Sequence, residues 1–324
     1  MLLGFDIGGT KCAVILGKAD DANEAMHIID KAVTPTNRTV YEMIELLFTM
    51  AESMLQKNRM KNEALQGIGI SCGGPLNSKK GIVLSPPNLP GWDNIPIVEI
   101  TQKRFRKNVL LQNDANAGAI AEWKYGAGKG FESLIFLTFG TGMGAGLILN
   151  GKLHSGATDL AGEVGHIRLA EMGPVGFGKA GSFEGFCSGG GIAQLAQIKV
   201  RQKFQMGEKV SFCNDFDDLP NLTAKTIADA AYKGDEVAID IYKTCAEFLG
   251  RGLAVLIDII NPELIILGSI YGRARSLIEP HMRRTLSEEA ISDAYKNCQI
   301  VSPGLSENIG DMAALALARE SMNA

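Results

Sequence analysis

No two cysteines in this chain are spaced as a C-x-x-C pair, which removes the commonest zinc and redox frameworks. The six present (Cys12, Cys72, Cys187, Cys213, Cys245 and Cys298) stand singly among apolar or small neighbours. They read as reduced, partly buried thiols of a cytoplasmic protein. Aromatic residues are scarce at 6%. A strong basic patch is missing too: net charge is −4, and the longest Lys/Arg cluster is the short run from Lys103 to Lys107. That run reads as a solvated helix face, and the balance disfavours a nucleic-acid partner. No positively charged leader with a cleavage site precedes Asp6. The apolar region from Leu253 to Leu267 is broken by Asp258 and by Asn261-Pro262-Glu263, so it predicts no membrane span.

What is abundant is glycine, with 38 residues in a chain of 324. Such an excess points to backbone positions that need positive φ or close approach to a ligand. Hydrophobic residues at 46% and charged residues at 21% are ordinary for a soluble globular protein, and the length favours two domains. Short strands are expected at Leu2–Phe5, Ala13–Leu16, Leu65–Ile70, Val109–Leu111, Leu134–Phe139, Ala145–Leu149 and Leu264–Leu267. Helical spacing appears from Tyr41 to Leu55, Ala115 to Tyr125, Thr223 to Tyr232, Val237 to Ile260 and Ile309 to Met322. Asn261-Pro262 should stop the longest of these. Strands alternating with helices predict an α/β fold.

A strand–glycine turn–strand pattern occurs twice. The first turn is Asp6-Ile7-Gly8-Gly9-Thr10-Lys11, the second Gly140-Thr141-Gly142-Met143-Gly144. Because a strand follows each turn, neither is a Rossmann or Walker loop, which would open a helix. Small residues still let backbone N–H groups converge on an oxyanion, and Asp6 can hold a hydrated Mg²⁺ beside it. A plain tight hairpin is the alternative for each. Asn113-Asp114-Ala115-Asn116 lies where a strand ends and a helix starts. Asp114 can be a helix cap there, or the carboxylate that accepts a proton from an attacking hydroxyl. Glu163-Val164-Gly165-His166, Glu184 and Asn88 are polar side chains in glycine- or proline-rich loops, each ambiguous alone.

Taken together and in order, these motifs resemble the ROK family of bacterial sugar kinases and sugar-responsive repressors, over nearly the whole chain. Asp6 to Lys11 is similar to its first phosphate motif and Gly140 to Gly144 to its second. Asn88 in Pro-Asn-Leu-Pro-Gly-Trp resembles its sugar-loop Asn, Asn113 to Ala117 its catalytic segment, and Gly162 to His166 its sugar-contacting E-x-G-H. Leu267-Gly268-Ser269 resembles its adenosine-side strand end. The resemblance implies an actin-like (ribonuclease H-like) two-lobed fold with a central cleft. The expected lobes are residues 1–114, with helix 309–324 packed back on them, and residues 115–308. It implies ATP and Mg²⁺ as cofactors, a hexose as substrate and a homodimer. Asp114 would be the base. Gly74, Asn88, Asn113, Asp114, Glu163, His166 and Glu184 would bind the sugar. Asp6, Gly8, Gly9, Thr10, Lys11, Gly140, Thr141, Gly142, Gly144 and Gly268 would hold ATP and its phosphates.

One departure stands out. The family's zinc motif, C-x-C-G-x-x-G-C-x-E, aligns with Val175 to Glu184, where Val175, Phe177 and Ser182 replace all three cysteines. With only His166 left as a donor, no zinc is expected. Apolar packing by Val175 and Phe177 is expected to hold the loop instead. The expected chemistry is transfer of the ATP γ-phosphate to the hexose 6-hydroxyl. A repressor is disfavoured because Asp6 leaves no room for a helix-turn-helix ahead of it. A non-catalytic sugar sensor and a donor such as polyphosphate stay open.

Overall fold

In the computed structural model, residues 1–20, 22 and 25–323 are described. Leu2, Leu3, Phe5 and Ile7 are buried, so the first strand, β1 (Leu2–Ile7), runs through a core. It turns at Gly8–Thr10 into β2 (Lys11–Asp20), which pairs antiparallel with it and with β3 (Ala25–Pro35). Helix α1 (Val40–Lys57) starts where the Glu42 carboxylate accepts both the N–H and the hydroxyl of Thr39, closing the first turn. Then come β4 (Gly67–Cys72), the small hairpin β5 (Leu76–Asn77) and β6 (Ile82–Val83), α2 (Ile97–Phe105), β7 (Val109–Asn113) and α3 (Asp114–Tyr125). The first sheet has the order β3-β2-β1-β4-β7, with β1, β4 and β7 parallel.

The chain continues through β8 (Leu134–Leu137), β9 (Ala145–Leu149), β10 (Lys152–Leu153) and the hairpin β11 (Val175–Gly176) and β12 (Lys179–Ala180). Helices α4 (Phe183–Phe186), α5 (Gly189–Gln205), α6 (Ala224–Tyr232) and α7 (Glu236–Ile260) lead to β13 (Leu264–Leu267). After α8 (Ile270–Glu289), α9 (Ser292–Asn297) and β14 (Gln299–Val301), the last helix is α10 (Ile309–Glu320). A second five-stranded sheet has the order β10-β9-β8-β13-β14. The fold is mixed α/β. None of the described helices is long and apolar enough to cross a membrane.

Contact density divides the chain into two units. One comprises Met1–Phe136, Gly146–Ala161 and Pro303–Ala324; the other comprises Leu137–Ala145 and Gly162–Ser302. In the first, strand alternation sends Phe5 to one face of the sheet, where it meets Phe48 of α1 and Phe105 of α2 at centroid distances of 6.0 and 6.2 Å. Gly4 and Asp6 face the other side, under α10. There Gly4 and Gly69 leave the helix room: a Cβ on Gly69 would lie 2.1 Å from the Ala314 carbonyl oxygen. In the second unit, α7 is the central shaft. Asp235 caps it by accepting the Ala238 N–H at 3.0 Å, and Asn261 ends it in the left-handed conformation. Phe248 on α7 stacks on Phe186 of α4.

The expected helix 309–324 is found as α10 followed by a turn of 3-10 helix, Ser321–Asn323; Ala324 lies outside the described residues. The strand expected to reach Phe139 stops at Leu137; beyond it the Thr138 hydroxyl oxygen accepts the Gly144 N–H at 3.0 Å. The Lys103–Lys107 run falls at the end of α2, where Arg104 pairs with Glu52 at 2.7 Å.

Candidate active site

Three parallel strands of the first unit finish in line: Ile7 of β1 is level with Cys72 of β4, which is level with Asn113 of β7. The carboxyl edge of parallel strands is where α/β proteins bind ligands. Asp6, Gly74 and Asp114 all lie at this edge. Gly74 lies two residues past the end of β4, and a Cβ on it would lie 4.0 Å from that of Asn113.

At the start of α3 the structure shows which residue caps the helix. Asn113 is the cap: its side chain accepts the Asn116 N–H at 2.7 Å. Asp114 is the first residue of α3. Its Oδ1 accepts the adjacent Ala115 N–H at 2.9 Å, and the residue is exposed. Burial among the surrounding protein atoms pushes its pKa above the ordinary value, opposed by hydrogen bonds from the Ala115 and Asp114 amides.

Asp6 is its neighbour in charge. Burial, followed by the negative charges of Asp114 and Asp311, pushes the Asp6 carboxyl up to about 6. Asp311, on the first turn of α10, was not legible as a site residue. Its carboxylate is almost fully buried and pairs with Lys31 of β3 at 2.6 Å. Gly310 lets that helix start beside Asp6, since a Cβ there would come within 3.0 Å of Asp6 Oδ2. A hard oxygen donor crowded by like charge fits a divalent cation such as Mg²⁺.

The turn after β1 is tight. The Gly8 N–H donates to the Lys11 carbonyl at 3.1 Å, and the Thr36 hydroxyl donates to the Gly8 carbonyl at 2.7 Å. Gly9, Thr10 and Lys11 are exposed. Gly9 also touches the loop that carries Asn88: a Cβ on Gly9 would stand 2.4 Å from the Asn88 carbonyl oxygen. Leu89 and Trp92 are buried and anchor that loop, leaving Asn88 exposed at its crest. The first unit therefore gathers Asp6, Gly8 to Lys11, Gly74, Asn88, Asn113 and Asp114.

The second unit gathers the rest. Gly140 donates to the Gly142 carbonyl at 3.1 Å, closing the second glycine turn over Thr141. Gly268 donates to the Leu137 carbonyl at 2.8 Å, and a Cβ on Gly140 would lie 3.9 Å from Ser269 Oγ, so the end of β13 adjoins this turn. Glu184, on α4, accepts the Met143 N–H at 3.0 Å and so ties the turn, which also carries Gly144, to α4. Gly165 fits between them, because a Cβ there would meet the Met143 carbonyl oxygen at 2.4 Å. Glu163 is exposed and His166 is half-buried.

The apolar packing expected of Val175 and Phe177 is not what holds the loop. Both are exposed, at 47% and 67%. Hydrogen bonds hold it instead: Gln194 of α5 accepts the Val175 N–H and donates to the Val175 carbonyl, each at 2.9 Å. Arg168 donates to the Ala180 carbonyl at 2.7 Å. Neither contact had a local signal in the sequence.

Comparison with known proteins places the chain in a family. The ROK family profile matches residues 2–321, and the protein belongs to that family. It is 30% identical over 323 residues to the glucokinase of Streptomyces coelicolor, covering 99% of this chain and 98% of that one. It is also 30% identical over 282 residues to the xylose repressor of Caldicellulosiruptor bescii, covering 87% of this chain and 69% of the repressor. Among solved structures, a ROK family glucokinase from Streptomyces griseus in complex with glucose and AMPPNP superposes with a TM-score of 0.77 at 28% identity, over 98% of this chain and 99% of that one. The fold class expected from the sequence, the actin-like two-lobed α/β fold, is that of these neighbours.

Proposed function

We propose that the protein is an ATP-dependent kinase that phosphorylates the 6-hydroxyl of a free hexose, glucose or a related hexose or N-acetylhexosamine. The observation that carries this reading is Asp114. Asn113 does the capping, so the Asp114 carboxylate is left at the carboxyl edge of the parallel strands with its proton affinity raised. A carboxylate of that kind can accept the proton of a hydroxyl as the oxygen attacks phosphorus. The glucokinase relative, and the solved glucokinase bound to glucose and an ATP analogue, support the choice of a sugar and ATP.

In this reading Asn88, Asn113, Glu163, His166 and Glu184 hold the sugar hydroxyls, with Gly74 leaving room for the ring. The turns at Gly8–Lys11 and Gly140–Gly144, with Gly268, receive ATP. Their work is positioning and charge stabilisation, with no covalent intermediate on the protein. Asp6 would hold Mg²⁺ through water; when bound, the cation neutralises charge on the transferring phosphates. The functional lobes are residues 1–114 with helix 309–324, and residues 115–308, and the working form is a homodimer.

The repressor relative favours a second reading: a regulator that binds sugar without turnover. An ADP-release assay with Mg-ATP against a panel of free hexoses separates the two, with phosphorus NMR to locate the new ester. Turnover giving a 6-phosphate supports the kinase. Sugar binding seen calorimetrically, with no ADP from any sugar, replaces it with the regulator. Polyphosphate in place of ATP tests the donor.

A further inference from the structure

Phe177 is a large apolar residue, 67% exposed, at φ 43°. Residues other than glycine rarely adopt that left-handed conformation, and bulky ones least of all. Its ring meets the His166 imidazole edge-on, with centroids 5.3 Å apart and planes at 84°. From the same hairpin, the Lys179 ammonium donates to the His166 carbonyl at 2.7 Å. The hairpin therefore grips His166 at two points, ring and backbone. The hairpin is itself fixed, at Val175 by Gln194 and at Gly181, whose N–H donates to the Pro174 carbonyl at 3.0 Å. Among the described residues, no hydrogen-bond partner meets His166 Nδ1, which is buried. A histidine used for recognition normally has its ring orientation fixed through its second nitrogen. Here no such bond fixes it.

The zinc implied by the family resemblance does not fit this chain. Of the four positions that would supply ligands, only His166 has a strong donor. Val175 and Phe177 have none, and the Ser182 hydroxyl is occupied as the cap of α4, accepting the Gly185 N–H at 3.1 Å. Among the described residues, no group of three or more His, Cys, Asp or Glu is placed to hold a metal.

We infer that Phe177 is a positioning residue for His166: its ring edge, together with the Lys179 bond, sets the imidazole for the sugar where no metal can. The inference rests on the sugar-kinase reading, in which His166 binds a sugar hydroxyl. It explains why an exposed phenylalanine is kept in a disfavoured backbone conformation. Sugar affinity should then depend on Phe177 and be indifferent to zinc.

The test is steady-state kinetics on the full chain for wild type, Phe177→Ala, Phe177→Leu and Phe177→Tyr, with Tm for each. Phe177→Ala and Phe177→Leu should raise the sugar KM by about tenfold, the scale of losing a ligand's orienting partner. They should leave kcat and the ATP KM within about threefold. Phe177→Tyr, which keeps the ring edge, should behave as wild type. Wild type should hold no stoichiometric zinc by elemental analysis, and a chelator should not move its sugar KM. An unchanged sugar KM in Phe177→Ala overturns the inference. So does a fall in which kcat, both KM values and Tm move together, or zinc at one per chain. If wild type turns over no sugar, the kinase reading has failed separately. Calorimetric sugar Kd then replaces KM, with the same outcomes required.

Discussion

Replacing Asp6 by Asn removes a carboxyl that faces two others, Asp114 and Asp311. Its pKa in the folded protein, about 6, lies above the ordinary 3.8, so the folded state holds that proton more tightly than the unfolded chain does. The linked penalty is absent below about pH 4, grows as pH rises towards 6, and is complete above that, on the order of 3 kcal/mol. In metal-free buffer Asp6→Asn should therefore melt with wild type at pH 4 and above it at pH 8, while losing most of its turnover. Equal melting temperatures at pH 8 would remove the crowding argument. The same crowding was invisible in the sequence. Asp6 and Asp114 could be picked out from their local contexts, a strand end before a glycine turn and a strand–helix junction. Asp311 could not, because its importance comes from Gly310 letting α10 start beside Asp6. Nor could the sequence decide between cap and base at Asp114, since Asn113 and Asp114 are both good caps. The hydrogen bond from the Asn116 N–H to the Asn113 side chain shows that Asn113 does the capping.

Elements with their own punctuation were legible. The span of α7 follows from its apolar spacing and the Asn261-Pro262 stop, and the span of α1 from the stripe that includes Ile44, Leu47, Phe48 and Leu55. Elements whose identity depends on partners were not. Strand β3 alternates half-buried and exposed residues, with Met26 its one buried residue, and is fixed by its pairing with β2. Helix α8 carries Pro280 and a non-helical Ala274, both of which argue locally against it. It stands because Tyr271, Ile278, Met282 and Leu286 are buried along its length. The seat of α10 was also hidden, since the glycines of β1 and β4 read simply as small residues. Gly69→Ala tests their role. The added methyl would meet the Ala314 carbonyl oxygen at 2.1 Å, so α10 must shift or β4 must bend. The expected cost is about 3 kcal/mol, at the upper end for overpacking, read from chemical denaturation. Because Asp311 rides on α10, turnover should fall as well. A variant with unchanged stability would mean that α10 is not seated as described.

At the scale of the whole molecule, a ligand that binds only the native state stabilises all of it by mass action. At a hundredfold excess over Kd, the preferred sugar should add about 2.7 kcal/mol and raise Tm accordingly. The panel can thus be screened by melting alone before any assay of turnover. A sugar that is turned over but leaves Tm unmoved at saturating concentration would contradict binding to the folded protein described above. The whole-molecule readings from the sequence, an α/β chain with a twice-used glycine turn, agree with the fold. The identity of the sugar was not readable, because hexoses differ by single stereocentres that only pocket geometry can distinguish.

The central claim is that Asp114 takes the sugar's proton, and Asp114→Asn tests it most directly. The amide keeps the shape and the hydrogen bond to Ala115 but cannot act as a base. The account predicts that kcat falls by about a hundredfold or more, the usual contribution of general-base catalysis, while calorimetric sugar Kd stays within about threefold of wild type. A variant that keeps near-normal kcat, with sugar binding intact, would contradict the assignment of Asp114 as the base.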